Sequence, residues 1–195
     1  SLFLALAIPA IADVVQRFDD AVWELTVEWE NDVAVAIAEA FDLIGSTPVT
    51  LPIIVGMAGY LVWRRRWEAF WFWALAMVSS QLLIGPVKGL YERERPPLPL
   101  VETSDFSFPS GHAVAGAAIA ISLVIVLVPA GPKRRNLEML AGAFAVLMAL
   151  SRVYLRAHWF TDVAAGASLG VATAVLAAVI VHRIDERRGD RAPDI

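Results

Sequence analysis

The sequence predicts an all-α integral membrane protein: a bundle of six transmembrane helices, with an amphipathic extracytoplasmic helical segment between the first two spans. Three observations carry this. Of the 195 residues, 58% are hydrophobic, against about 45–50% in an ordinary soluble domain. The excess lies in runs close to the roughly 20 apolar residues that a helix needs to cross a bilayer. The breaks between runs hold the arginine and lysine clusters, as expected of cytoplasmic loops. Mean hydropathy is +0.61 and the net charge is −4. The length predicts one domain over 1–195. There is no cysteine, so neither a disulfide framework nor a thiolate metal site is expected. The basic clusters abut apolar runs and act as topology signals, so no nucleic-acid partner is expected.

Leu2 to Ala12 is expected to be the end of a first span whose start lies before Ser1, or else a short interfacial anchor. Residues 13–42 are acidic, with Val15, Phe18, Val22 and Leu25 recurring at helical spacing. They predict an amphipathic helix on the membrane surface or against the protein, with Trp23 and Trp29 at interfacial depth. Gly45-Ser46-Thr47-Pro48 is a break. Further spans are expected over about Val49–Trp63, Trp67–Val87, His112–Val128, Leu137–Tyr154 and Trp159–Val181. Residues 88–111 hold four prolines and read as a loop, 155–158 as a tight turn, and 183–195 as a charged, frayed tail.

If the spans alternate, Arg64–Arg66, Lys133–Arg135 and the arginines of the tail share one side. The positive-inside bias makes that side cytoplasmic. The 13–42 segment, the 88–111 loop and the 155–158 turn then lie outside.

The same outer side carries the polar residues that suggest chemistry. Ionisable side chains in lipid cost roughly 2.5–3.5 kcal/mol each on insertion scales, so they are functional candidates by default. His158 and Asp162 are four apart, one helical turn on one face. A carboxylate on one imidazole nitrogen would leave the other free to attack. The alternative is a helix-start carboxylate balancing the macrodipole. Ser110, Gly111 and His112 open an apolar run, where backbone N–H groups bind anions. Ser110 fits equally as an ordinary helix cap, and His112 could protonate a leaving oxygen. Lys88, Arg95 and Arg152 supply cations suited to a tetrahedral oxyanion. Snorkelling from span ends would also account for Lys88 and Arg152. Arg93 and Arg156 are expected to make headgroup or surface contacts, and His182 to be interfacial. No dedicated metal site stands out, and no cofactor is expected.

These clusters resemble the signature of the type 2 phosphatidic acid phosphatase family, the integral-membrane lipid phosphatases. Its pattern is K-x6-R-P, P-S-G-H and S-R-x5-H-x3-D. Every specified position is present: Lys88, Arg95 and Pro96; Pro109, Ser110, Gly111 and His112; Ser151, Arg152, His158 and Asp162. The resemblance implies that Lys88, Arg95, Arg152, Ser110 and Gly111 hold the phosphate of a lipid phosphate or diphosphate. It implies that His158, oriented by Asp162, attacks phosphorus to form a phosphohistidine. His112 would protonate the departing lipid oxygen and then activate water. Family members typically need no metal.

Undecaprenyl diphosphate, phosphatidylglycerophosphate and phosphatidate are the expected substrates, with a slight lean to the first by family analogy, because an outward site suits carrier recycling. Vanadate-dependent haloperoxidases resemble the same signature, but they are soluble and this chain is not. A non-enzymatic lipid-headgroup binder or transporter would place its polar groups near the midplane. Here they crowd one interface.

Overall fold

The computed structural model describes residues 9–189 of the chain. The expected first span, residues 1–12, therefore lies largely outside the described residues. Among the described residues seven helices follow one another: α1 (Pro9–Glu28), α2 (Asp32–Gly45), α3 (Thr47–Trp63), α4 (Trp67–Tyr91), α5 (Gly111–Leu127), α6 (Pro132–Tyr154) and α7 (Phe160–Gly189). No strand occurs among the described residues.

α4, α6 and the part of α7 up to Asp185 are each long and apolar enough to cross a membrane. α2 and α3 together make a fourth candidate, bent by 41° at the Ser46 break. α5 is apolar but shorter, at 17 residues. At 1.5 Å per residue it reaches about 25 Å.

The 13–42 segment is not one amphipathic stretch. It breaks after Glu28, and α2 starts on an Asn31 cap whose side-chain oxygen accepts the Ala34 N–H at 2.9 Å. The Tyr154 hydroxyl of α6 accepts the Asn31 backbone N–H at 3.1 Å and donates to the Trp29 carbonyl at 2.9 Å. The break is thus pinned to the bundle. The second half of the segment continues to Gly45 and leads into α3.

Two other boundaries differ from expectation. α4 runs on to Tyr91, so Lys88 sits in its last turn rather than in the loop. α7 continues through the charged residues to Gly189, about two turns of regular backbone where fraying was expected.

α5 is the axis of the fold. Ala113–Ile119 are all buried, and α5 packs against α4, α6 and α7. Small residues allow this. A Cβ on Gly166 of α7 would stand 2.6 Å from the Ser110 carbonyl oxygen, and one on Gly170 would stand 2.4 Å from that of Val114. Backbone approach this close is possible only at glycine. Gly85 and Gly89 of α4 face open space instead.

Candidate active site

The ends of α4, α5 and α6, the start of α7 and two connecting loops bring all eight expected site residues to one end of the bundle. The turn between α6 and α7 does much of this positioning. α6 ends with Arg156 in the left-handed region, at φ 54°. The Arg156 N–H donates to the Val153 carbonyl at 2.9 Å, and that of Ala157 to the Arg152 carbonyl at 3.0 Å. This is the pair of bonds that closes a helix through a left-handed residue. The His158 N–H also donates to the Arg152 carbonyl, at 3.2 Å, which ties the histidine to the arginine's backbone.

Asp162 is the third residue of α7. Its Oδ2 accepts the Trp159 N–H at 2.9 Å, the reach-back bond of a capping box. Its Oδ1 accepts from Arg93 Nη1 at 2.6 Å. Both oxygens are committed, and Oδ2 stays 3.7 Å from His158 Nδ1. The direct partner of that nitrogen is the Ser107 carbonyl, at 2.7 Å. A carbonyl only accepts, so Nδ1 carries the proton and Nε2 presents its lone pair. Arg95 Nη1 lies 3.3 Å from Nε2.

His158 is wholly enclosed. Burial pushes its pKa down to about 4, against the opposing pull of Asp162 and with help from Arg95 and Arg152. The ring is therefore neutral at physiological pH.

Two carboxylates bind the cations. Asp105 Oδ1 bridges Lys88 Nζ and Arg95 Nη2, each at 2.7 Å. Burial works against its charge, but the bonds from Lys88 and then Arg95 outweigh this and hold the carboxyl below its usual range. Arg95 also donates to the Ser104, Asp105 and Ala157 carbonyls. On the other side, Asp42 Oδ1 of α2 pairs with Arg152 and lies 3.1 Å from His112 Nε2. Each group of cations expected to hold phosphate is thus paired with an internal carboxylate.

Ser110 caps α5: its hydroxyl accepts the Ala113 N–H at 3.5 Å, and its own N–H donates to the Asp162 carbonyl at 3.2 Å. Ser110 is fully buried. Gly111 and His112 begin α5, where backbone N–H groups lack intrahelical partners. Ser151 donates its hydroxyl to the Met148 carbonyl one turn back.

Two expectations are overturned. Arg93 and Arg156 make no surface contacts. Arg93 is largely buried between Asp19 and Asp162, over the face of Trp159. Arg156 is 4% exposed and paired with Glu30. Both follow from loops folding under α1 and the α1–α2 break, which local sequence does not report. Asp19, Asp42, Asp105 and Ser107 escaped sequence reading as well. His182 sits at the far end of α7, near Glu68, Arg134 and Asp185.

An all-helical membrane chain with this constellation at its helix ends is an integral-membrane lipid phosphatase. The model of the PAP2 superfamily matches residues 69–186, and the chain belongs to that superfamily. Phosphatidylglycerophosphatase B of Bacillus subtilis (strain 168) is 35% identical over 179 residues, covering 87% of this chain and 86% of that protein. The crystal structure of a transmembrane PAP2 type phosphatidylglycerolphosphate phosphatase from Bacillus subtilis superposes with a TM-score of 0.83. It is 32% identical and covers 93% of both chains. An undecaprenyl-diphosphatase of Sulfolobus acidocaldarius is 40% identical over 67 residues, 34% of this chain and 30% of that protein.

Proposed function

We propose that the enzyme removes the terminal phosphate of a lipid phosphate through a phosphohistidine, with phosphatidylglycerophosphate as its first candidate substrate. The His158 geometry carries the mechanism: Nδ1 donates to Ser107 while Nε2 faces a guanidinium. Nε2 attacks phosphorus, and the bond to the lipid oxygen breaks. Arg95, Lys88 and Arg152 hold the phosphoryl oxygens, joined by the Ser110–Gly111 helix start. This is charge stabilisation aimed at the reacting group. Asp162 steadies the turn and offsets the imidazolium charge from one helical turn away. His112 gives its proton to the departing oxygen, then takes one from the water that attacks the phosphohistidine. Inorganic phosphate leaves and both histidines return to their starting states.

The relative matched over most of the chain supports phosphatidylglycerophosphate. A prenyl diphosphate is a second reading, supported by the shorter match to a diphosphatase. The six-span, single-domain layout over 1–195 belongs to the same proposal. So do a bacterial plasma membrane, an extracytoplasmic site and a cytoplasmic C-terminus, which the clustering of basic residues away from the site supports.

The test is phosphate release by purified protein from phosphatidylglycerophosphate, phosphatidate and undecaprenyl diphosphate, with and without chelator. Release that survives chelator and an acid-labile, base-stable phosphoenzyme are expected. His158→Ala should lose both while still eluting as a folded species in detergent. Unchanged release by that variant would overturn the nucleophile assignment.

A further inference from the structure

Arg93 lies outside the signature positions, yet its guanidinium makes four side-chain hydrogen bonds beside the site. Nη1 donates to Asp162 Oδ1 at 2.6 Å and to Thr161 Oγ1 at 2.8 Å. Nη2 donates to Asp19 Oδ2 at 2.7 Å and to Gln16 Oε1 at 2.8 Å. Its guanidinium carbon lies 5.5 Å from the Trp159 ring centroid. Asp19 is a fully enclosed carboxylate on a surface helix, a placement that requires a partner. Besides Arg93 it accepts the Thr161 N–H at 3.0 Å and the Thr161 hydroxyl. One guanidinium fork thus joins α1 to the first turn of α7, beside His158.

We propose that Arg93 and Asp19 are positioning residues of the reaction: Arg93, anchored by Asp19, holds the Asp162 carboxylate off His158, so that the Ser107 carbonyl fixes the ring. This rests on the reading of His158 as the nucleophile. Asp162 Oδ2 is 3.7 Å from Nδ1, one small rotation from a direct bond. Arg93 and the capping bond to Trp159 divide the two oxygens between them and prevent that rotation. A carboxylate bonded directly to Nδ1 would compete with Ser107, turn the ring and shift Nε2 relative to phosphorus. Arginine suits the task because its planar fork reaches two carboxylates at once, which a lysine ammonium does not do in fixed geometry.

The charged groups facing His158 are Asp162 from α7, Arg95 from the loop after α4, and Arg152 from α6. Removing the Arg93 charge strengthens the pull of Asp162 alone. The imidazolium form gains, and the acid limb of kcat moves to higher pH.

The experiment compares wild type, Arg93→Gln, Arg93→Lys, Asp19→Asn and His158→Ala with phosphatidylglycerophosphate in mixed micelles. kcat and KM are measured across pH, with elution in detergent as the folding check. Arg93→Gln should lose about tenfold or more in kcat, as a misplaced reacting atom does, with KM near wild type and its acid limb raised. Arg93→Lys should regain part of kcat and restore the limb. Asp19→Asn keeps the Arg93–Asp162 pair, so it should lose kcat without moving the limb. A lower yield of folded Arg93→Gln and Arg93→Lys, with unchanged kcat and limb in the folded fraction, would overturn the proposal and leave a structural strut. A normal turnover by His158→Ala would instead remove the nucleophile reading beneath it.

Discussion

The Ser107 carbonyl accepts the Nδ1 proton of His158 at 2.7 Å. A main-chain oxygen from the proline-rich loop, rather than a side chain of the signature, therefore sets the tautomer. Ser107 is itself held: its N–H donates to the Arg93 carbonyl at 2.8 Å, and its hydroxyl to that of Glu94 at 2.9 Å. The loop thus carries the His158 ring through backbone bonds, which fixes direction more rigidly than a rotatable carboxylate.

The first prediction concerns pH. With His158 as the proposed nucleophile, the neutral ring is the reactive form, and burial lowers its pKa to about 4. With an ordinary value of about 6.5, most of the ring would be charged at pH 5; here about nine-tenths stays neutral. Phosphoenzyme formation in a single turnover should therefore show no fall from pH 7 to pH 5 and should fall only as pH approaches 4. An acid limb near 6.5 for that step would contradict the burial argument.

A second prediction concerns Asp105. Its carboxylate sits on the Lys88 and Arg95 ammonium and guanidinium groups that a phosphate would use, and it is 55% exposed. Asp105→Asn should weaken that competition and tighten binding of inorganic phosphate as a product inhibitor. Exposed pairs contribute about 0.2–1 kcal/mol, so the gain should be no more than about fivefold. Weaker inhibition by phosphate would show that Asp105 instead preorganises the cations.

The contact between α5 and α7 gives a third. Gly166→Ala would drive a methyl to 2.6 Å from the Ser110 carbonyl and 3.1 Å from the Ala113 methyl. Backbone must move, at a cost of about 1–3 kcal/mol, and His112 moves with it. A lower Tm together with a reduced kcat is expected. Gly85→Ala meets nothing within 4 Å. It should leave activity unchanged and raise Tm slightly, since alanine favours helix by up to about 1 kcal/mol. Equal effects of the two substitutions would refute the close-approach account.

Glu30 supplies the fourth. It pairs with Arg156, whose side chain is 5% exposed and whose Nε has no hydrogen-bond partner. Glu30→Ala leaves that guanidinium poorly compensated beside the turn that holds His158. Because Glu30 is itself 42% exposed, solvent will recover part of the loss, and a cost of about 1 kcal/mol is expected. Thermal unfolding in detergent reads it directly. An unchanged Tm would mean that water already serves Arg156.

The signature residues were legible because their chemistry depends on local spacing. His158 and Asp162 are one turn apart by helical period, and Ser110 through His112 open an apolar run. The helices were legible for the same reason: α4, α6 and α7 are long apolar segments bounded by charge and proline. Arg93 and Asp19 were not legible. They lie 74 residues apart, and nothing within either segment marks one as the other's partner. The α1–α2 break was missed likewise, because Tyr154 of α6 holds it from outside the segment.

The sequence by itself determined an all-helical membrane chain and the signature groups proposed to meet phosphate, since both follow from hydropathy period and short-range spacing. Only the tertiary structure decided how those groups are held. Asp162 turns to Arg93, Ser107 takes the His158 ring, and Asp42 and Asp105 sit on the cations. Each of these choices is made by a buried polar group seeking a partner. In a low-dielectric interior the partner is whichever donor or acceptor the packing brings within reach, however distant along the chain.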